Sequence, residues 1–306
     1  MQRSHRSRWR AATVLGTAVL ALAITGTAFA VGPGRWKPAV NAESVPGTSE
    51  ELNTEFVDGC PIQAPSGRRL FRASTRPGGA GGIDIWVARR ASTADPWGAP
   101  ANLAMPVNST VDDFCPTPVR GKGLFFVSTR EGGCGGSDIF RARRDDDGDW
   151  RVRHLRCRAD GGPNTDQPEF APSFFEADGR GYLYFSSGPD IYEARQRRDG
   201  TFRRGVAVEE LNSEFNDLRP NVRSDGRVIV FDSDRPGGLG GPDIYTARRR
   251  NASVAWSAPV NVGTNVNTDA AETRASLSWD GRTMLFGSTR PGGEGETDIY
   301  VTRRKR

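Results

Sequence analysis

The chain has 306 residues, with 42 Lys+Arg against 37 Asp+Glu, 36% hydrophobic residues, four cysteines and two histidines. Arg3, Arg6, Arg8 and Arg10 lie in an N-terminal stretch that holds no acid; without them the balance is 38 basic to 37 acidic. Bulk charge therefore gives no case for a nucleic-acid binder, and two histidines leave little material for histidine-based chemistry.

Residues 1–30 read as a secretory signal peptide cleaved after Ala30: basic MQRSHRSRWR, apolar AATVLGTAVLALAITG, then A-F-A. The apolar run is short for a membrane span and no second one follows. The protein is thus expected to be secreted or held in the cell envelope as a monomer, with no transmembrane span once the leader is gone. An uncleaved leader acting as an anchor is the alternative. Residues 31–306 are expected to form a single domain, with 31–44 as a closing strand and linker.

From residue 45 a repeat dominates. An Asp-Ile-aromatic triplet begins at Asp84, Asp138, Asp190, Asp243 and Asp298, and Asn followed by Ser or Thr recurs at Asn53, Asn108, Asn164, Asn212 and Asn267. In the first copy CPIQA, RLFRAS, IDIWVAR and WGAPANL are short β-rich runs between turn signals, and no helical period is present. Four strands per copy and five copies predict an all-β fold: a five-bladed β-propeller of four antiparallel strands per blade. The last copy ends before its fourth strand. GRWKPAVN, with Trp36, is similar to VAWSAPVN, with Trp256, so the N-terminal segment is expected to complete that blade and remove an open edge.

Each copy except the third carries a glycine loop, as in STRPGGAGGIDIW at 74–86. A strand follows it, not a helix or Lys-Ser/Thr, so the loop reads as a strand–strand turn and not a phosphate cradle. The triplet Asp residues (Asp84, Asp138, Asp190, Asp243, Asp298) are expected to bond loop N–H groups, a structural role. The third copy, FSSGPDIY, keeps the triplet without the loop, which should leave a notch beside Glu169 and Asp190.

Tandem units of the form S-x-D/T-R-P-G-G-x-G-G-x-D-I-Y after P-x-x-S-x-D-G-R, as in RPNVRSDGRVIVFDSDRPGGLGGPDIYTAR and RASLSWDGRTMLFGSTRPGG, resemble the TolB-type, WD-repeat-like β-propeller family over about residues 45–306. The resemblance implies a propeller and a binding role, and no reaction. The missing loop of the third copy and the wider first turn in EFAPSFFEADGRG depart from the pattern.

Four cysteines in an exported chain suggest two disulfides, with three connectivities open. Cys60 and Cys115 hold equivalent positions in DGCP and DFCP. Cys134 lies in a glycine loop, and Cys157 follows the outer strand of the same blade. Cys60–Cys115 and Cys134–Cys157 are therefore favoured. The spacings lack the C-x₂₋₄-C form of a zinc site, and no metal site is expected.

Candidate chemistry rests on carboxylates, since His154 falls on an outer strand. Asp58, Asp113, Glu169, Asp217 and Glu272 each open an inner strand and are expected to form an acidic collar at one mouth of the axis. Pairing with the loop arginines Arg76, Arg130, Arg235 and Arg290 is the plain reading; ligand binding, with Ca²⁺ as the one cofactor to consider, is the sharper one. The arginines after each third strand (Arg89 and Arg90, Arg143 and Arg144, Arg195, Arg248 and Arg249, Arg303 and Arg304) are expected to form a solvated rim. Because every acid is repeated, the expectation is a non-catalytic binding or scaffold propeller, engaging a protein or glycan through its glycine-loop face. The alternative is a carbohydrate-active hydrolase using axial carboxylates.

Overall fold

The computed structural model describes residues 36–121 and 123–305. Five four-stranded antiparallel sheets are arranged as a β-propeller. In blade four the strands run, from the axis outward, Asp217–Val222, Val228–Ser233, Asp243–Arg248 and Val260–Asn261. Blade three has Glu169–Ala177, Arg180–Ser187, Asp190–Arg195 and Val206–Ala207. The second strand VIVFDS is buried along its whole length, because neighbouring blades cover both of its faces. That is why its first four residues, VIVF, read as an apolar run and not an alternating one.

Blade five takes Glu272–Leu277, Thr283–Ser288 and Asp298–Arg303 from the C-terminus and Val40–Asn41 from the N-terminus. Val40 pairs with Val301 and Asn41 with Tyr300. Trp36 is buried against Val228, Leu277, Phe286 and Tyr300, and Arg304 stacks on its indole at 5.1 Å. The closing strand thus covers the edge that Asp298–Arg303 would otherwise present. The leader and its cleavage site lie outside the described residues; among these, no helix is long and apolar enough to cross a membrane.

The repeated Asn is the clasp between blades. Asn267 Oδ1 accepts from Ile244 N at 2.9 Å while its Nδ2 donates to Ile244 O at 3.0 Å. Asn108 grips Ile85, Asn164 grips Ile139 and Asn212 grips Ile191 in the same two-bond way. Asn53 makes the grip with Ile299, 246 residues away, and so closes the ring. A buried amide is the one side chain that satisfies an N–H and a C=O of one residue together.

The rim expectation needs a correction. The second arginine after the third strand lies over the aromatic that precedes or opens the outer strand: Arg90 on Trp97 at 4.0 Å, Arg144 on Trp150 at 4.7 Å, Arg249 on Trp256 at 4.1 Å. Half of the arginine series is therefore cation–π packing that fastens the outer edge of each blade. Arg89, Arg143, Arg144, Arg195 and Arg303 are exposed, and Arg90, Arg248, Arg249 and Arg304 are half-buried.

Candidate functional site

The motif around each collar acid builds the same cluster in four blades. In blade four Ser213 donates to Asp217 Oδ2 through its main chain at 2.6 Å and its hydroxyl at 2.7 Å. Arg235 leaves the glycine loop, donates its Nε to Ser233 Oγ at 3.0 Å, and closes an ion pair on Asp217 Oδ1. Its guanidinium lies 5.2 Å above the ring centre of Tyr245. Arg130 pairs with Asp113 at 2.7 Å, Arg290 with Glu272 at 3.1 Å and Arg76 with Asp58 at 3.2 Å. All five collar acids are buried, each turned into its own blade. The expected open acidic collar is thus not formed: in four blades the carboxylates are cores of loop-anchoring clusters.

The triplet Asp seals the same loops. Asp84 Oδ2 accepts from Ala80 N at 2.6 Å, Asp138 Oδ2 from Cys134 N at 2.9 Å, Asp243 Oδ2 from Leu239 N at 2.7 Å, and Asp298 Oδ2 from Glu294 N at 3.1 Å. An added Cβ at Gly79 or Gly293 would collide with the carboxylate of Asp84 or Asp298. Glycine is needed there so that the backbone can wrap the acid.

Blade three differs at both acids. With no loop there is no loop arginine. Glu169 Oε1 accepts from Thr165 N at 2.9 Å, Thr165 Oγ1 at 2.6 Å and Ser187 Oγ at 3.0 Å, while its buried Oε2 has no partner. Burial pushes the Glu169 carboxyl up to about 7, against the pull of those hydrogen bonds. Asp190, which has no loop amides to accept from, is half-buried and raised by burial and by Asp217 and Glu209. Glu169 and Asp190 both pair in register with Ser187, so all three side chains project from one face of the sheet. Two inter-strand steps put the two acids roughly 10 Å apart at Cα.

The remaining sequence candidates are placed as follows. Disulfides join Cys60 to Cys115 and Cys134 to Cys157. His154 packs beside the second of these, 3.7 Å from Cys134 Sγ, and takes a hydrogen bond with Asn164. Cys134, His154 and Cys157 are the group of ligand atoms close enough for a metal among the described residues, and their thiols are used in the disulfide. Calcium takes six to eight oxygens, and the four arginine-paired collar acids have no such set to offer.

Sequence reasoning missed two features. Arg72 occupies the position where the other blades have Phe126, Phe185, Phe231 and Phe286. It is fully buried, paired with Asp58, and leaves Nε and Nη1 without a partner. The third residue of every inner strand (Cys60, Cys115, Ala171, Arg219, Arg274) has a positive φ, between 44° and 56°. The pairing register shifts at each of these points. Prolines at 61, 116, 172 and 220 were the visible trace of these bulges.

No family model matches the chain, and no curated protein matches it. Solved structures do. An α-L-arabinofuranosidase from Lactobacillus brevis is 13% identical over 87% of this chain and 94% of its own, with a TM-score of 0.55. An α-L-arabinofuranosidase from Podospora anserina, in complex with cellotriose, is 11% identical over 90% and 98%, with a TM-score of 0.56. A GH43 endo-arabinanase from Bacillus licheniformis is 13% identical over 83% and 94%, with a TM-score of 0.54. At these identities the likeness concerns the fold. It corrects the resemblance to the TolB-type, WD-repeat-like family, since the similar structures are GH43 and GH62 propellers and no family model supports the other assignment. The expectation of a non-catalytic binding or scaffold propeller is overturned with it. Its second support, the repetition of every acid, also fails, because blade three does not repeat the cluster.

Proposed function

We propose that the protein is a carbohydrate-active hydrolase whose site is the blade-three notch. One observation carries this reading: Glu169 and Asp190 are the two motif acids released from the partners that neutralise their counterparts elsewhere. The propeller likeness to an α-L-arabinofuranosidase, an endo-arabinanase and a GH62 hydrolase in complex with xylotriose supports a glycan as the substrate class.

Glycoside hydrolysis needs one carboxyl that holds a proton near neutral pH and one that is ionised. Glu169, pushed up to about 7, is the proton donor to the leaving oxygen. Asp190, at the solvent edge, is the base that orients water. Glu169 is covered by Thr165 in the resting structure, so substrate reaches Oε2 by displacing the 165–167 turn.

The test is release of reducing ends from arabinan, xylan and cell-wall glycans, with and without Ca²⁺. Glu169→Gln and Asp190→Asn should each reduce turnover by about 10²-fold or more. Full activity in both folded variants, or no product from any glycan with the parent, refutes the proposal.

A further inference from the structure

The bulged third residue of each inner strand lines the propeller axis, and the five residues there are not alike. Blades one and two contribute Cys60 and Cys115, joined to each other. Blade three contributes Ala171. Blades four and five contribute Arg219 and Arg274, both in the left-handed region, at φ 54° and 56°. That conformation costs an arginine on the order of 1–3 kcal/mol, so a long cationic side chain is a poor choice for the turn alone.

One acid, Asp232, meets both residues, the guanidinium of Arg219 and the main chain of Arg274. Arg219 Nη1 donates to Asp232 Oδ2 at 2.6 Å, and Asp232 Oδ1 is taken by the main-chain N–H of Arg274 at 2.8 Å. The Arg274 side chain extends across the seam to blade one and lies over Gly59. A Cβ at Gly59 would sit 3.2 Å from its Nη1 and 3.3 Å from its Cδ. The residues equivalent to Gly59 are Phe114, Phe170, Leu218 and Thr273, so blade one is cut back where this arginine lies. Burial, then the neighbouring Arg219, lowers the Arg274 guanidinium to about 10, which still leaves it charged at neutral pH. Both arginines line an axial cavity of about 30 Å³ whose walls include Cys60, Cys115, Ala171, the prolines behind them, Thr117, Asn221 and Ser276; no carboxylate is among the described residues that line it.

We propose that Arg219 and Arg274 form an axial oxyanion site that takes a carboxylate, either free or carried on a uronate-containing glycan. Two cations against one acid leave a net positive charge in a low-dielectric channel, and paired guanidiniums present planar forks of donors that match a carboxylate. A cavity of this size admits the oxygens of such a group and not a sugar ring. Two residues along the strand from Asp217, the site lies roughly 7 Å in from the loop-face end.

The probes are sodium acetate, galacturonate and trigalacturonate, with galactose as the neutral control, followed by calorimetry and thermal shift at low salt. The parent should bind at least one of the carboxylates and not galactose. Acetate binding marks a free-anion site, and trigalacturonate binding alone marks a glycan-borne one. Arg274→Gln should weaken binding at least tenfold. Gly59→Ala, which displaces the guanidinium without removing it, should weaken it as well and decides the matter if Arg274→Gln fails to fold. Glu169→Gln should bind as the parent does, so the readout stands apart from hydrolysis. Failure of every carboxylate to bind or stabilise the parent at ~50 mM, or unchanged affinity in Arg274→Gln or Gly59→Ala, overturns the proposal.

Discussion

Blade four and blade three are the same four-stranded unit with and without its glycine loop. In blade four the loop does three things together. Its arginine neutralises Asp217, its Leu239 N–H donates to Asp243, and its guanidinium caps Phe231 and Tyr245. In blade three, Phe185 and Tyr192 stack on each other at 5.8 Å without a cation, Thr165 and Ser187 hold one oxygen of Glu169, and the other oxygen is left over. A repeat makes acids structural by giving each a partner. Losing a single loop leaves one acid without its arginine and the other without its loop amide.

The largest effect should come from breaking the complete cluster. Arg235→Ala leaves Asp217 buried without its counter-charge and should destabilise the protein by about 3–5 kcal/mol, read by denaturant unfolding. Blade three has no equivalent arginine to lose. A change below ~1 kcal/mol would mean that the ion pair does not hold the loop.

Grafting the loop sharpens the contrast. Replacing Gly188–Pro189 with the blade-four sequence Asp-Arg-Pro-Gly-Gly-Leu-Gly-Gly-Pro should supply an arginine to Glu169 and amides to Asp190. The Glu169 carboxyl should then fall toward the ordinary range and hydrolysis should be lost, with the fold retained by circular dichroism. An active grafted protein would separate the notch from the chemistry.

A pH series tests the same carboxyl in the parent. The folded pKa of Glu169 is raised, to about 7 from 4.5, so between these values the native state holds a proton that the unfolded state releases. Stability should therefore decrease as pH rises from about 4.5 to 7. Glu43, also pushed up to about 7 by burial and by Glu294, acts in the same window, so the informative quantity is a difference. Glu169→Gln should be more stable than the parent by about 2–3 kcal/mol at pH 8, and the gain should vanish near pH 4. Equal stability at both pH values would show that the carboxyl is not raised.

The smallest effect concerns the clasps, which blade three shares with the others. Asn212→Ala and Asn267→Ala each leave one buried N–H and one C=O without their partner. Both should cost about 1–3 kcal/mol, and the similarity of the two losses would show that the missing loop leaves the blade-to-blade joint intact.

The sequence by itself determined the ring. Five copies at near-constant intervals, short β-rich runs and turn residues between them allow one architecture. Trp36 in GRWKPAVN marked the closing strand because the same packing problem recurs in every blade. The notch was legible too, as FSSGPDIY without glycines. What tertiary structure decided was the electrostatic state of each repeated acid. Asp217 and Glu169 look alike in a repeat alignment of this chain, yet one is paired with an arginine eighteen residues away and the other has an oxygen with no partner. The axial pair was equally hidden. Arg219 and Arg274 are 55 residues apart, and only ring closure and the bulge before the proline position turn both toward the axis. Strand period and turn chemistry are local and can be read along the chain, whereas the burial that sets what a carboxylate or guanidinium can do comes from residues that only the folded blades and the closed ring bring together.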